Sequence, residues 1–215
     1  MARDSSATKA RLLDAAFSEF ATHGIAGARV DRIAQTAQAN KRLIYVYYGN
    51  KEQLFDAVLQ RALETGSESV PFDVDDLPGY AGAVFDHLVE RPSLMRLVLW
   101  KQLERPGSTD TEAASYQGKI AAVRQAQEAG RIDAGMDAAD VLTLVVALSQ
   151  AWFGALVGPA VGGTGAGGTG ASGTGASGTG AGETGSDWAP AQVARHRAAV
   201  VEAVRRITAP HADGS

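Results

Sequence analysis

Apolar residues recur along this chain at intervals of three and four, the spacing that lines up one face of an α-helix, and no stretch alternates apolar with polar residues as a half-buried strand would. Leu13, Ala16, Phe17 and Phe20 predict a first helix over 8–23, closed by Gly24 in a left-handed C-cap. Val30, Ile33, Ala34 and Ala37 stripe a second, short helix. Asn40 can then accept the orphan amides of a third, only about two turns long, which Leu43, Ile44 and Tyr47 anchor. The same helix leaves the cationic and phenolic groups of Lys41, Arg42, Tyr45 and Tyr48 available to a partner. Gly49 breaks it, and Asn50 with Gln53 makes a capping-box-like start for a fourth helix to about residue 65, with Leu54, Phe55, Val58 and Leu59 on its core side. Lys51 therefore stands where free amides, the positive helix end and an ammonium converge, which favours an anion.

Beyond Pro71 the pattern stays helical. Pro78 opens a helix through Glu90, and Pro92 opens another through Glu104 that stops at Pro106. Thr109 and Glu112 form a capping box for a helix ending at Gly130, and Asp137 and Asp140 load the first turn of the longest apolar helix, 137–157. A last helix covers 189–207, with Val193, Val200, Val204 and Ile207 along one stripe. Between these two lies a five-residue repeat marked by Thr164, Thr169, Thr174, Thr179 and Thr184, with no large apolar side chain to offset the entropy of ordering it. It lacks the lysine and helix start of a P-loop, so it reads as a tether. The expected organisation is all-α: residues 1–50 a three-helix unit, 51–160 a helical body, 161–187 a flexible Gly/Thr/Ala/Ser linker and 188–210 a final helix.

Composition narrows the chemistry. A hydrophobic content of 45% and a charged content of 20% over 215 residues fit a globular protein with a sizeable core. There is no cysteine, which excludes disulfides and thiolate metal sites, and His23, His87, His196 and His211 are scattered without metal spacing, so neither metal nor cofactor is expected. His23 reads as charge complementarity at a helix end, and the other histidines as ordinary surface or satisfied core. The net charge of −4 is uneven: residues 1–61 hold nine Lys or Arg against six Asp or Glu, and the remainder eleven against eighteen. A mildly basic head on an acidic body suits local phosphate contact. The opening residues lack the apolar core of a signal peptide, which predicts a cytoplasmic protein, and 141–157, with Gln150 inside and Gly158-Pro159 after, reads as a buried helix and not a membrane span. The Asp75-Asp76 pair has no His or Lys near it in sequence, so no catalytic constellation emerges.

Residues 28–55, ARVDRIAQTAQANKRLIYVYYGNKEQLF, resemble the DNA-binding domain of the tetracycline-repressor (TetR) family of bacterial transcription regulators, and the likeness extends over 8–61. It implies a helix-turn-helix whose second helix meets DNA, a homodimer on a palindromic operator, and a C-terminal domain that binds a small ligand and releases the DNA. Transferred by position, Lys41, Arg42 and Tyr45 meet base edges and phosphates, Tyr47 braces the helix and touches backbone, and Lys51 binds a phosphate. Asn40, Arg29 and Tyr48 complete the expected DNA surface. The chain departs from the family in having Gln38 where a turn glycine is usual, and Arg29 where Ser or Thr usually starts the second helix; Arg29 exchanges a cap for a possible phosphate contact. Arg32 and Arg61 read as solvated surface.

Two further expectations follow. Helix 137–157 is apolar on two faces, Val141, Val145, Leu148 and Trp152 on one and Leu142, Val146, Ser149, Phe153 and Leu156 on the other, so it needs two partners. A two-fold dimer through 137–157 and 189–207 supplies the second; a monomer whose last helix covers the stripe is the plainer reading. An apolar or aromatic effector is expected among the middle helices, where Phe85, Leu88, Met95, Leu99, Trp100, Leu103, Tyr116, Ile120, Val123, Leu148 and Trp152 supply surface and His87, Gln102, Tyr116 and Gln150 could orient it. The expected function is a ligand-responsive repressor; the alternatives are a DNA-binding protein without a ligand and an all-α enzyme whose site assembles from distant residues.

Overall fold

Nine helices and no strand make up the described residues, 2–107, 110–154 and 188–210, of this computed structural model. The first four are α1 (Ala2–Gly27), α2 (Val30–Thr36), α3 (Lys41–Tyr48) and α4 (Lys51–Ser69). Gly24 kinks α1 where an end was expected: at φ 68° and ψ −176° it breaks the helix, which then resumes for one turn. That turn can form because Glu104 accepts its first amide hydrogens, those of Ile25 and Ala26. Between α2 and α3, Gln38 takes the left-handed conformation at φ 51° that the family's glycine would supply, at a cost of about 1 kcal/mol. The caps form as their residues suggest. Asn40 Oδ1 accepts from the Arg42 amide at 2.8 Å and Asn50 Oδ1 from the Gln53 amide at 2.7 Å.

These four helices close on one core. Phe20 of α1 meets Phe55 of α4 edge to face at 5.2 Å, and Leu12, Ala16, Ile33, Ile44 and Leu54 pack around them, all fully buried. Leu97, from a later helix, enters the same cluster.

The body consists of α5 (Leu77–Glu90), α6 (Pro92–Glu104), α7 (Asp110–Glu128), α8 (Ala138–Gly154) and α9 (Pro190–Thr208). The acidic pair before α5 is structural: Asp76 caps the helix by accepting from the Gly79 amide at 2.8 Å, and Asp75 pairs with Arg131. Helix α5 packs on α8 and α9, and α6 packs along α1, which joins body to head. The body core gathers Leu77, Tyr80, Val123, Ala126, Val141, Val145 and Val204. No helix among the described residues is long and apolar enough to cross a membrane. The repeat segment 161–187, Thr109 and the end of the predicted 137–157 helix, Leu156 included, lie outside the described residues.

Candidate nucleic-acid interface

Helix α3 is short and two-sided. Ile44 is fully buried, and Leu43, Tyr47 and Tyr48 pack against the head core, so the opposite side is turned outward. That side presents Lys41, Arg42, Tyr45 at 47% exposure and Val46 at 63%. Lys41 pairs with Asp31 of α2 at 2.8 Å, whereas Arg42 makes no ion pair among the described residues. An exposed, unpaired guanidinium beside a phenol and an apolar side chain offers donors for guanine, a hydroxyl for phosphate and a surface for a thymine methyl.

The flanking groups are more tightly held. Lys9 Nζ lies 5.0 Å above the Tyr47 ring, and Tyr47 and Tyr48 meet edge to face at 6.3 Å. The Tyr48 hydroxyl donates to the Lys9 carbonyl at 3.3 Å, and burial pushes its pKa up, so this phenol is directed at protein. Asn40 is occupied as the α3 cap. Arg29 is exposed at the start of α2, where its side chain makes no cap; its amide instead donates to Glu19 at 2.8 Å. Lys51 Nζ donates to the carbonyls of Ala26 and Ala28, each at 3.4 Å. An ammonium has three hydrogens, so one remains for a phosphate.

Five groups at this surface were given no part in it from sequence. Val46 follows from counting, since it lies four residues after Arg42 on the stripe left when Leu43, Ile44 and Tyr47 turn inward. Arg11 Nε donates to the Ala37 carbonyl at 3.2 Å and ties α1 to the helix-turn-helix turn. Arg32 is not simply solvated: its guanidinium grips Glu19 at 2.5 to 3.1 Å. Burial opposes ionisation of Glu19, but the hydrogen bonds from Arg32 and the Arg29 amide outweigh it and hold the carboxyl below its usual range. Arg61 likewise pairs with Asp14 at 3.0 Å. Glu104, the fifth, meets the last turn of α1 from a helix of the body.

Two cavities, one within the body and one at its seam with α1 and α4, share Ala62, His87 and Leu94. The inner one, of about 150 Å3, brings Leu88, Met95 and Tyr116 together with His87 and Gln150, and adds Leu63, Val84, Val98 and Val146. The outer one, of about 670 Å3, lies between α1 and α4 on one side and the α5–α6 turn on the other. The remaining expected pocket residues go elsewhere. Phe85 and Trp152 stack with Phe153, Trp188 and His196 where α5, α8 and α9 meet. Ile120, Val123 and Leu148 belong to the body core. Trp100 lies over Gly24 of α1, Leu99 lines neither cavity, and Leu103 is 75% exposed with Gln102 beside it, because α6 turns its other side to α1. His87 is not a satisfied core residue: its Nε2 is buried with no hydrogen-bond partner, and burial followed by the Arg91 charge lowers its pKa.

Comparison with known proteins agrees with this architecture. The family profile described as "Bacterial regulatory proteins, tetR family" matches residues 12–58, and "Tetracyclin repressor-like, C-terminal domain" matches 76–163. The HTH-type transcriptional repressor SCO4008 of Streptomyces coelicolor is 46% identical over 153 residues, 69% of this chain and 80% of that protein. The HTH-type transcriptional repressor NicS of Pseudomonas putida is 27% identical over 111 residues, 48% of this chain and 52% of that one. Among solved structures, the transcriptional regulator SCO4942 from Streptomyces coelicolor superposes with a TM-score of 0.75 at 35% identity, covering 95% of this chain and 99% of its own. With its helix-turn-helix head and helical C-terminal domain, the chain belongs to the tetracycline-repressor family of bacterial transcription regulators.

Proposed function

We propose that this protein is a repressor that binds a two-fold symmetric operator as a dimer and leaves it when a small apolar or aromatic effector enters the body. The observation that carries the DNA half is the outward side of α3, where Arg42 is exposed and unpaired beside Tyr45 and Val46. Arg42 reads guanine, Tyr45 and Lys41 reach base edges or phosphate, Val46 touches a thymine methyl, and Lys51 and Arg29 hold phosphates. The effector occupies the inner cavity, which His87 lines and whose walls are otherwise mostly apolar; a larger effector extends past His87 into the outer one. The α8 face of Leu142, Val146, Ser149 and Phe153, expected to need a second chain, is buried or half-buried within this one, so dimerisation uses instead the exposed Leu144, Ala147 and Ala151 of α8 with Ala194 and Ala198 of α9. Segment 161–187 serves as a tether between α8 and α9, and the protein works in the cytoplasm, where its operator is.

Selection of bound duplexes from random sequence tests this reading. A recovered palindrome, sedimentation of the free protein above the 22.3 kDa of one chain, and release by an apolar aromatic compound are expected. Replacing each thymine of the recovered duplex by deoxyuridine finds the methyl that Val46 touches, and Val46→Ala abolishes that position's effect. Failure to enrich any sequence contradicts the DNA half, and a strictly monomeric species contradicts the dimer.

A further inference from the structure

The segment 25–28, the last turn of α1 and its junction with α2, is gripped from α1, α2, α4 and α6. Its amides at Ile25 and Ala26 both donate to Glu104 Oε2, at 2.6 and 3.0 Å. Its carbonyls at Ala26 and Ala28 accept from Lys51 Nζ. The Gly27 carbonyl accepts from Arg32 at 3.2 Å, and the Arg29 amide donates to Glu19. Lys51, Arg32 and Glu19 belong to the head, whereas Glu104 is the last residue of α6, a helix of the body. The approach is close: a Cβ on Gly24 would come within 2.6 Å of Glu104 Oε1 and 2.9 Å of Trp100 Cε3, so the end of α6 rests on bare backbone.

We propose that Glu104 is a positioning residue for DNA binding, which aims the Lys51 ammonium through the backbone of turn 25–28. The inference rests on the reading of Lys51 as a phosphate contact. Two of the three Lys51 hydrogens point at carbonyls of the turn, so the direction of the third is set by where those carbonyls stand. Glu104 fixes the two peptides just before them, through the Ile25 and Ala26 amides. The link also runs into the body, because Leu94, Met95 and Val98 of α6 line the inner cavity and Val98 is only about 9 Å along the helix from Glu104. A helix shifted by an effector at Val98 pulls its carboxylate off the turn, and the ammonium loses its aim.

The test is a double-mutant cycle on the full chain with a duplex selected from random sequence, following affinity and its salt dependence and checking each variant by thermal melt. Lys51→Ala is expected to weaken binding and flatten the salt slope by about one per subunit. Glu104→Ala is expected to do the same, with about a tenfold loss of affinity, although it touches no DNA. Glu104→Gln keeps an oxygen for both amides and should stay within about threefold of the parent. In the Lys51→Ala background, Glu104→Ala should change nothing further. If Glu104→Ala does not fold, Glu104→Asp, which withdraws the carboxylate by one methylene, takes its place. Parental affinity in Glu104→Ala, or losses that simply add with those of Lys51→Ala, overturns the proposal while leaving Lys51 a phosphate contact. An unaltered salt slope in Lys51→Ala overturns both.

Discussion

Head and body are both built from amphipathic helices, yet they treat their interiors differently. In the head, aromatic rings pack edge to face, every helix start after α1 is capped by Asn or tied by Glu19, and charged side chains such as Arg32 find partners. In the body a cavity remains between α5 and α6, and another opens at its seam with α1 and α4. Moreover, both buried side-chain polar atoms without a hydrogen-bond partner among the described residues, His87 Nε2 and Trp152 Nε1, are there. Each such atom costs about 1–3 kcal/mol. Under the proposed function the difference divides the work: a surface that matches DNA is held to one shape, and the part proposed to accept a ligand keeps room for it.

The largest expected effect is in the head core. Phe55→Ala removes a fully buried ring and its edge contact with Phe20, and should cost about 3–5 kcal/mol in denaturant unfolding and abolish DNA binding. A sharper comparison enlarges a side chain in each region. Ala34→Leu forces an extra isopropyl group into the head core and should destabilise by about 1–3 kcal/mol. Val146→Leu grows into the inner cavity, and should leave the melting temperature unchanged or raised while blocking any effector that binds there. Equal destabilisation by both would show that the body is packed as tightly as the head.

Smaller effects sharpen the contrast further. Gln38→Gly relieves the one left-handed non-glycine residue among those described and should stabilise the head by up to about 1 kcal/mol, read from the shift in denaturant midpoint. The smallest concerns pH. Because the folded His87 has a pKa below 6.5, the unfolded chain takes up the proton first as pH falls. Its contribution is therefore fully present above about pH 6.5 and lost as pH drops through the lower folded value. His196, also lowered, by burial and then by Arg195, adds in the same direction. Thermal melts from about pH 7.5 down to about pH 5 should decline less steeply in His87→Leu than in the parent.

The two regions also differ in how far they could be read from sequence. The head depends on local chemistry: Asn40 and Asn50 lie two and three residues from the amides they cap, and the stripe of Ile33, Ala34 and Ile44 has a period that any window reveals. What was hidden there is non-local. Arg32 meets Glu19 across 13 residues and Glu104 meets Ile25 across 79, and nothing in either neighbourhood marks the partner. In the body the stripes locate the helices but not which side faces a void. Leu88 and Met95 line the cavity while Leu103, two helical turns beyond Met95 on the same helix, lies in solvent, because the packing of α6 on α1 decides between them. Gly24 shows the same limit: its left-handed φ is legible, but Glu104, which lets the helix resume past it, is not.

The claim that α3 and Lys51 form a fixed DNA-reading surface is tested most directly by the affinities of Arg42→Ala and Lys51→Ala for the selected operator and for a scrambled duplex of equal length. Removing the Lys51 phosphate contact should weaken both duplexes by a similar factor, whereas removing Arg42 should cost about 1–3 kcal/mol on the operator alone and bring it toward the scrambled sequence. Parental affinity and parental discrimination in both variants would contradict the account.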